Sequence, residues 1–136
     1  YRPDIKTARN FYSLPLLKPD SEEWYAQSFQ AFLAHYDYVA IEAMPFMEEA
    51  ENPIQWLTDL VKAAAKEPEG LKKSVFELQT VNWKNQQKIS SEVFIEKILL
   101  LKKLGVKHLG YYPDNVHENQ PRLDDIKQYF SLPNPQ

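Results

Sequence analysis

The segment NFYSLPLLKPD (residues 10–20) follows the first predicted β-strand of the chain and contains no glycine. An open α/β sheet usually places a glycine-rich, ligand-binding loop at this point, because glycine lets the backbone approach the ligand closely. The whole chain has three glycines, Gly70, Gly105 and Gly110, and they are too far apart to build such a loop. The segment therefore favours half of a (β/α)8 barrel over a small open sheet.

Predicted strands and helices alternate along the chain. Strand-forming residues recur in four places, near residues 5–12, 38–44, 74–80 and 107–112. A helical pattern follows each of them; Asn52 and Pro53 mark the start of the second helix, and Gly105 marks the end of the third. Strands that alternate with helices pair in parallel through right-handed crossovers. We predict an α/β fold of four βα units, half the number in a complete barrel.

The first helix is predicted as one element within residues 15–36. Asp20 is its predicted N-cap, and Glu23 stands three residues later, as in a capping box. Apolar residues from Trp24 onward then recur at helical spacing. This spacing predicts that Trp24, like Trp56 in the second helix, faces the core.

Length and composition fit a single globular unit. The 136 residues show no linker or low-complexity segment, so we treat residues 1–136 as one fragment, the second half of a barrel domain. The opening YRPDIKTARN (residues 1–10) is expected to be cut from a longer chain. The lack of a signal peptide at this start is therefore no evidence about the compartment.

The charge balance and residue usage exclude several classes of function. The chain has 16 basic and 19 acidic residues, a net charge of −3, which argues against nucleic acid as a partner and is compatible with a cationic ligand. With no cysteine, there are no disulfides, zinc–thiolate sites or cysteine nucleophiles. The three histidines are scattered, so no metal site is expected. No apolar run approaches the length of a membrane span.

Polar and aromatic residues gather at the predicted strand ends, where parallel α/β folds place their active sites. They are Asn10, Tyr12, residues 44–49, Glu77, Gln79, Asn82, Trp83, Tyr111, Tyr112, Asp114 and Asn115. Aromatic faces stack on pyranose rings, while carboxylates and amides bind hydroxyls or an amine. The strand ends therefore predict a sugar-binding cleft.

The two glutamates each have an alternative interpretation. Glu48 follows a proline turn and could simply be solvated near the next helix. Glu77 lies between Phe76 and Leu78 in a strand that should be covered on both faces. A carboxylate there has to line a polar cavity or form a buried ion pair, because burying it unpaired is costly.

The aromatic residues and the last aspartate are open to similar alternatives. Trp83 could be a stacking platform or a hydrophobic cap on the rim. Tyr111 and Tyr112 point to opposite faces of their strand, so we expect one of them in the cleft and the other in the core. Asp114 follows a proline and is also a common type of turn residue.

Four motifs resemble a known family in their order and spacing. They are TARNFY (residues 7–12), AMPFME (43–48), FELQTVNW (76–83) and GYYPDN (110–115). Over nearly the whole chain they are similar to the C-terminal domain of the PgaB family, the poly-β-1,6-N-acetyl-D-glucosamine deacetylases of biofilm-forming bacteria. Where that family usually has GYYPDD, this chain has Asn115, so the family role of that position does not transfer.

The resemblance implies the C-terminal half of a glycoside-hydrolase-type (β/α)8 barrel that binds and hydrolyses partly deacetylated polymer. It implies that Glu48 is the partner carboxylate of a catalytic aspartate on an earlier strand, and that Trp83 stacks on sugars. The expected substrate-binding residues are Glu77, Gln79, Trp83, Tyr111, Tyr112 and Asp114. Two carboxyls that flank a glycosidic bond, one protonated and one ionised, suit hydrolysis.

The resemblance also implies partners and a location. The polymer is the expected ligand, and the location is the periplasm, with the complete protein anchored to the outer membrane as a lipoprotein beside an export porin. This fragment is expected to hold no cofactor, since the family's divalent metal belongs to its separate deacetylase domain. Alone, the fragment is expected to be inactive. The alternative is a non-catalytic carbohydrate-binding module that guides the polymer to export.

A half barrel also predicts association. Four strands leave two edges with unpaired backbone groups and should also expose an apolar inner face, and such surfaces promote association. We therefore expect completion by the missing first half of the barrel or by a second copy of the chain.

Overall fold

The computed structural model describes residues 2–130, so the predicted loop at residues 131–136 lies outside the described part. Its strands are β1 (Ala8–Phe11), β2 (Tyr38–Ala43), β3 (Ser74–Gln79), β4 (Val81–Asn82), β5 (Gln87–Lys88) and β6 (His108–Tyr112). Its α-helices are α1 (Leu14–Leu17), α2 (Glu22–Tyr25), α3 (Phe29–His35), α4 (Pro53–Ala65), α5 (Gly70–Lys73), α6 (Ser91–Lys103) and α7 (Leu123–Phe130). A short 3₁₀ helix, Pro19–Ser21, lies between α1 and α2.

The main sheet has four strands in the order β1-β2-β3-β6, and every neighbouring pair is parallel. These are the four strands predicted from the sequence, so the prediction of four parallel βα units in an α/β fold is confirmed. Spatial order follows chain order, as it does around a (β/α)8 barrel. Strands β1 and β6 form the two edges of the sheet.

The sheet has one apolar face and one polar face. Side chains alternate along each strand, so Phe11, Ile41 and Phe76, which are paired in register, share a face. All three are fully buried in the hydrophobic cluster that also contains Leu60 of α4 and Leu101 of α6. The opposite face carries the residues in between, and it is this face that lines the candidate site.

The two long helices begin and end where the sequence predicts. The side chain of Asn52 accepts a hydrogen bond from the backbone N–H of Gln55 at 3.0 Å, and Pro53 is the first helical residue of α4. Helix α6 closes before Gly105, whose φ of +89° is a conformation that suits glycine. No helix within residues 2–130 is long and apolar enough to cross a membrane.

The single helix predicted within residues 15–36 is wrong. The segment forms α1, the 3₁₀ turn, α2 and α3, and Ala26 takes a left-handed conformation with φ of +49° between α2 and α3. Helix α3 starts again with Ser28 as its N-cap. The apolar spacing was counted across this break, so the prediction for Trp24 also fails: its side chain is 92% exposed. Trp56 does pack against the core.

A β-hairpin follows β3 that the sequence analysis did not predict. Strands β4 and β5 pair antiparallel, with Val81 opposite Lys88 and Asn82 opposite Gln87. Each strand has two residues, too few to show a period in the sequence. The hairpin carries Trp83 at its turn, and the next helix, α6, begins after it at Ser91.

Two leucines on α6 provide a test of where the core lies. Leu101 is fully buried, whereas Leu99 is 51% exposed. We expect Leu101→Ala to lower the free energy of unfolding by about 2–5 kcal/mol, because it leaves a cavity in the core. The matched control Leu99→Ala should change it by less than about 0.5 kcal/mol. Urea denaturation of both variants measures the difference, and equal losses would contradict the assigned helix face.

Candidate functional site

A cavity of about 470 Å³ opens at the carboxyl ends of β2, β3 and β6. Its lining residues are Asn10, Glu42, Met44, Met47, Glu77, Trp83, Tyr111 and Tyr112. A second cavity, of about 410 Å³, lies toward β1 and shares Asn10 and Glu42 with the first. The two cavities are therefore neighbours, and together they are called the cleft below.

Two carboxyl groups stand side by side in the cleft. Glu42 on β2 and Glu77 on β3 are partners in the parallel register, and both are half-buried. Neighbouring strands lie about 4.8 Å apart, which places the two side chains next to each other. Burial raises the pKa of Glu42, and the charges of Glu77 and Glu48 raise it further. Burial likewise raises the pKa of Glu77.

Space for Glu77 comes from a glycine on the neighbouring strand. Gly110 of β6 pairs with Glu77, and a Cβ added at Gly110 would lie 3.3 Å from Cγ of Glu77. A side chain at Gly110 would therefore crowd Glu77, which would have to shift by a few tenths of an ångström.

Glu48 lies beside the cleft rather than in its lining. It is half-buried in the turn that follows β2, and its charge acts on Glu42. The same turn contains Glu49, which has φ of +53° and forms an ion pair with Lys84 of the β4–β5 hairpin. The turn that carries Glu48 is thus joined at the surface to the hairpin that carries Trp83.

Trp83 and Tyr112 form an aromatic pair on the rim. Their ring centroids are 5.8 Å apart, and the Tyr112 side chain is 59% exposed. Tyr111 lies the other way, with its ring edge-on to Phe94 at 5.9 Å and to Phe130 at 5.1 Å. The two tyrosines therefore take opposite sides of β6, and Tyr112 is the one whose ring joins the rim.

Asp114 is exposed just beyond β6, and Gln79 is buried below the cleft. Burial raises the pKa of the Tyr111 phenol, and the charge of Asp114 raises it further, so these two groups are close. Gln79, predicted to bind substrate, is 1% exposed and does not line the cavity. Within residues 2–130, its amide bonds to backbone groups of Phe46, Met47 and Val81, and this burial leaves almost no surface for a sugar.

The sequence analysis missed two residues of this region. Glu42 lies inside β2, in YVAIEA, rather than at a strand end; its signal in the sequence is an acid within an apolar strand, as at Glu77. Trp24 is exposed on α2, beside a shallow surface cavity that it lines with Tyr25. The ring of Tyr25 lies 5.0 Å from that of Tyr12, which lines the second cavity of the cleft.

The described residues do not offer a metal centre. Within residues 2–130, no group of three or more histidine, aspartate or glutamate side chains is arranged to hold a metal ion. The chain also has no cysteine. The polar side chains that line the two cavities are those of Arg9, Asn10, Gln27, Glu42 and Glu77, together with tyrosine hydroxyls.

Comparisons with known proteins agree on one family. The model of hypothetical glycosyl hydrolase family 13 matches residues 1–112. The chain is 44% identical over 134 residues to the poly-beta-1,6-N-acetyl-D-glucosamine N-deacetylase of Escherichia coli strain K12, covering 95% of this chain and 20% of that protein. The protein of that name from Escherichia coli O157:H7 gives the same values. The chain thus spans about a fifth of the length of these relatives.

A solved structure matches the fold as well. The glycoside hydrolase domain of PgaB (BpsB) from Bordetella bronchiseptica is 41% identical and superposes with a TM-score of 0.93. The match covers 97% of this chain and 37% of that one. It confirms the predicted resemblance and the prediction of a TIM-barrel-type α/β fold.

The raised pKa of Glu42 predicts a pH-dependent stability. The folded state disfavours the ionised carboxyl of Glu42. The stability that the protonated carboxyl contributes is therefore fully present below the unfolded pKa of about 4.3, and it is lost as the pH rises through the folded pKa. Because Glu42→Gln cannot ionise, we expect its Tm to exceed that of the wild type at pH 7, with the difference closing at about pH 4. Thermal denaturation at both pH values measures this.

A matched variant controls for charge alone. Glu51 is exposed in the loop before α4, so Glu51→Gln should leave the Tm difference between pH 4 and pH 7 as in the wild type. If Glu42→Gln behaved in the same way as this control, the carboxyl of Glu42 would not be destabilised by its place in the cleft.

Proposed function

Because the chain belongs to hypothetical glycosyl hydrolase family 13, we propose that it serves in the binding and hydrolysis of partly deacetylated poly-β-1,6-N-acetyl-D-glucosamine. This would be a step in the processing and export of a biofilm exopolysaccharide. One observation carries the proposal: two carboxyl groups, Glu42 and Glu77, face the same cavity as the rings of Trp83 and Tyr112.

The lining of the cleft suits a polymer that contains free amines. Aromatic rings such as Trp83 stack on the apolar faces of pyranose rings. A deacetylated glucosamine unit carries an ammonium group, which donates hydrogen bonds to carboxylates and is attracted by their charge. Among the described residues, no lysine or arginine lines the larger cavity, whereas Arg9 lines the second one. The larger cavity is therefore the side of the cleft that suits the ammonium group.

We assign hydrolysis to a pair of carboxyl groups. In this proposal Glu48 is one of them, and the other comes from a strand outside this chain. One carboxyl protonates the leaving glycosidic oxygen, while the other activates water or attacks the anomeric carbon. The charge that Glu48 exerts on Glu42 supports its place next to the cleft. Glu77, Trp83, Tyr111, Tyr112 and Asp114 would complete the substrate contacts, Tyr111 through its place in the cavity wall.

We also propose that residues 1–136 form the second half of the barrel. The four parallel strands supply half of the strands that closure needs, and β1 and β6 are the edges to which further strands would pair. The matched glycoside hydrolase domain is longer, since this chain covers 37% of it. The missing first half, or a second copy of the chain, would complete the cleft, and the fragment alone would be inactive.

Location and partners are proposed from family membership alone. The complete protein would reside in the periplasm as a lipoprotein of the outer membrane, and would pass its polymer to an export porin. A separate deacetylase domain would hold the family's divalent metal, and this fragment would hold no cofactor. Cell fractionation and co-purification of the complete protein test these proposals directly.

The catalytic assignment predicts the effect of Glu48→Gln. In the complete protein, we expect this change to lower kcat on glucosamine oligomers by about 10²- to 10⁴-fold, because it removes a carboxyl that transfers a proton or attacks. Binding of the oligomers should be retained. Mass spectrometry of the cleavage products and calorimetric titration measure the two effects. Glu51→Gln, three residues away and exposed, is the control and should cleave at the wild-type rate.

A second function is favoured by one observation, namely that Glu48 does not line the larger cavity. On this alternative the domain is a carbohydrate-binding module that guides the polymer to export without cleaving it. The complete wild-type protein would then bind glucosamine oligomers but release no shorter products. Unchanged cleavage by Glu48→Gln, in contrast, would remove Glu48 from the mechanism while leaving hydrolysis in place.

The half-barrel proposal predicts the behaviour of the isolated chain. The inner face of the sheet carries Glu42 and Glu77, so the expected apolar inner face is wrong and gives no reason for association. The unpaired edges at β1 and β6 remain, so we expect a dimer or larger species at micromolar concentration. Light scattering measures the mass. A stable monomer with a single cooperative melting transition would contradict the half barrel and favour a compact open sheet.

A further inference from the structure

Two buried polar residues follow one another at the carboxyl end of β3. Gln79 and Thr80 are each 1% exposed, yet neither lines the cleft. Burying amide and hydroxyl groups is costly unless they are hydrogen-bonded. The partners of these two side chains therefore show what their burial achieves.

Gln79 joins two separate loops through one amide group. Its Oε1 accepts hydrogen bonds from the backbone N–H of Phe46 at 2.8 Å and of Met47 at 3.2 Å. These residues directly precede Glu48 in the turn after β2. Its Nε2 donates to the carbonyl oxygen of Val81 at 2.8 Å, at the start of the hairpin that carries Trp83.

Thr80 makes the same kind of connection to the end of β6 and to the loop that follows it. Its hydroxyl donates to the carbonyl oxygen of Pro113 at 2.6 Å, and its backbone N–H donates to the carbonyl oxygen of Tyr112 at 3.0 Å. Its own carbonyl accepts from the N–H of Ile89 at 2.9 Å and from the side chain of Gln120 at 3.2 Å. Thr80 thus holds Tyr112 relative to the far end of the hairpin.

We propose that Gln79 and Thr80 are positioning residues that fix Glu48, Trp83 and Tyr112 relative to one another. This inference rests on the proposed function for the roles of those three residues. It replaces the direct sugar contact predicted for Gln79. Glu48 lies in the turn after β2, Trp83 in the β4–β5 hairpin and Tyr112 at the end of β6. The buried hydrogen bonds of one dipeptide join these three segments.

The positioning role predicts that the catalytic constant and the Michaelis constant respond differently to changes in the pair. Gln79→Met keeps the size of the side chain but removes all three hydrogen bonds. In the complete protein, we expect it to lower kcat on glucosamine oligomers by about tenfold to a hundredfold, because Glu48 is displaced, and to raise KM through Trp83. Thr80→Val removes only the hydroxyl contact with Pro113 and should raise KM with little change in kcat. Thr80→Ser retains that hydroxyl and should restore the wild-type KM.

Hydrogen exchange provides a readout that does not depend on catalysis. In Gln79→Met, we expect the backbone N–H groups of Phe46 and Met47 to exchange about tenfold faster, while the core of α4, such as Leu60, exchanges as in the wild type. A general loss of stability would instead accelerate exchange in both regions. If Gln79→Met does not fold, Gln79→Asn serves in its place, since it keeps the buried amide but is one methylene too short to reach both loops.

The outcomes separate this inference from the proposed function. Wild-type exchange at Phe46 and Met47 in a folded Gln79 variant, or unchanged kcat and KM, would overturn the positioning role even if the wild type cleaves the polymer. If the wild type does not cleave, hydrolysis is refuted. Exchange rates and oligomer affinities of the same variants then still decide whether Gln79 and Thr80 hold the loops.

Discussion

The parallel register of β2 and β3 is the constraint on which the rest of the structure depends. It places Ile41 beside Phe76 on one face of the sheet and Glu42 beside Glu77 on the other. A shift of either strand by one residue would turn its apolar side chains toward the cleft and its carboxyl toward the helices. Burial of that carboxyl against Leu60 and Leu101 would be far more costly than its present half-burial. The apolar core therefore fixes the register, and the register brings the two acids together.

The turn that carries Glu48 is held from two directions. On the side of the sheet, the buried amide of Gln79 accepts hydrogen bonds from the backbone N–H groups of Phe46 and Met47 in this turn. From the helices, Lys97 of α6 is 2% exposed and places its Nζ 4.7 Å from the centre of the Phe46 ring, where a cation is attracted to the ring face. Nζ of Lys97 also donates to the carbonyl oxygen of Val93, and burial lowers the pKa of Lys97 to about 8. The turn that carries the half-buried Glu48 is therefore held by contacts from the sheet and from α6.

The sequence predicts those parts of the fold that depend on local signals. The four strands and the caps of α4 and α6 follow from β-forming residues, from Asn52 and from Gly105, which act within a few residues of themselves. The break at Ala26 has a different origin. The residue after it, Gln27, accepts a hydrogen bond from the backbone N–H of Tyr12, fifteen residues earlier, so the segment is shaped by a contact that helical periodicity does not encode. Tertiary contacts of this kind override local propensity.

The candidate site also has parts that could be predicted from the sequence and parts that could not. That Glu77, Trp83 and Tyr112 share a cavity follows from strand ends meeting at one edge of a parallel sheet, and this was predictable. Predicting the position of Glu42 would need the register between strands, because a residue inside a strand can face either the core or the cleft. Predicting the burial of Gln79 would need the positions of the backbone groups in neighbouring loops that it bonds. A polar residue at a strand end thus has two possible uses, contact with a ligand or support of the loops, and only three-dimensional contacts distinguish them.

The width of the cleft is itself an argument about the ligand. Its aromatic groups lie at opposite edges of the sheet, with Trp83 and Tyr112 beside β6 and Tyr12 after β1. Three strand spacings separate these edges, which amounts to about 14 Å at the usual spacing between strands. Glu42 lies between them and lines both cavities. A single sugar ring would contact only part of this surface, whereas a chain of sugars could rest on both aromatic edges and present an amine to the acids between them. Under the proposed function, this arrangement of acids and rings across four strands would suit a polymer better than a monosaccharide.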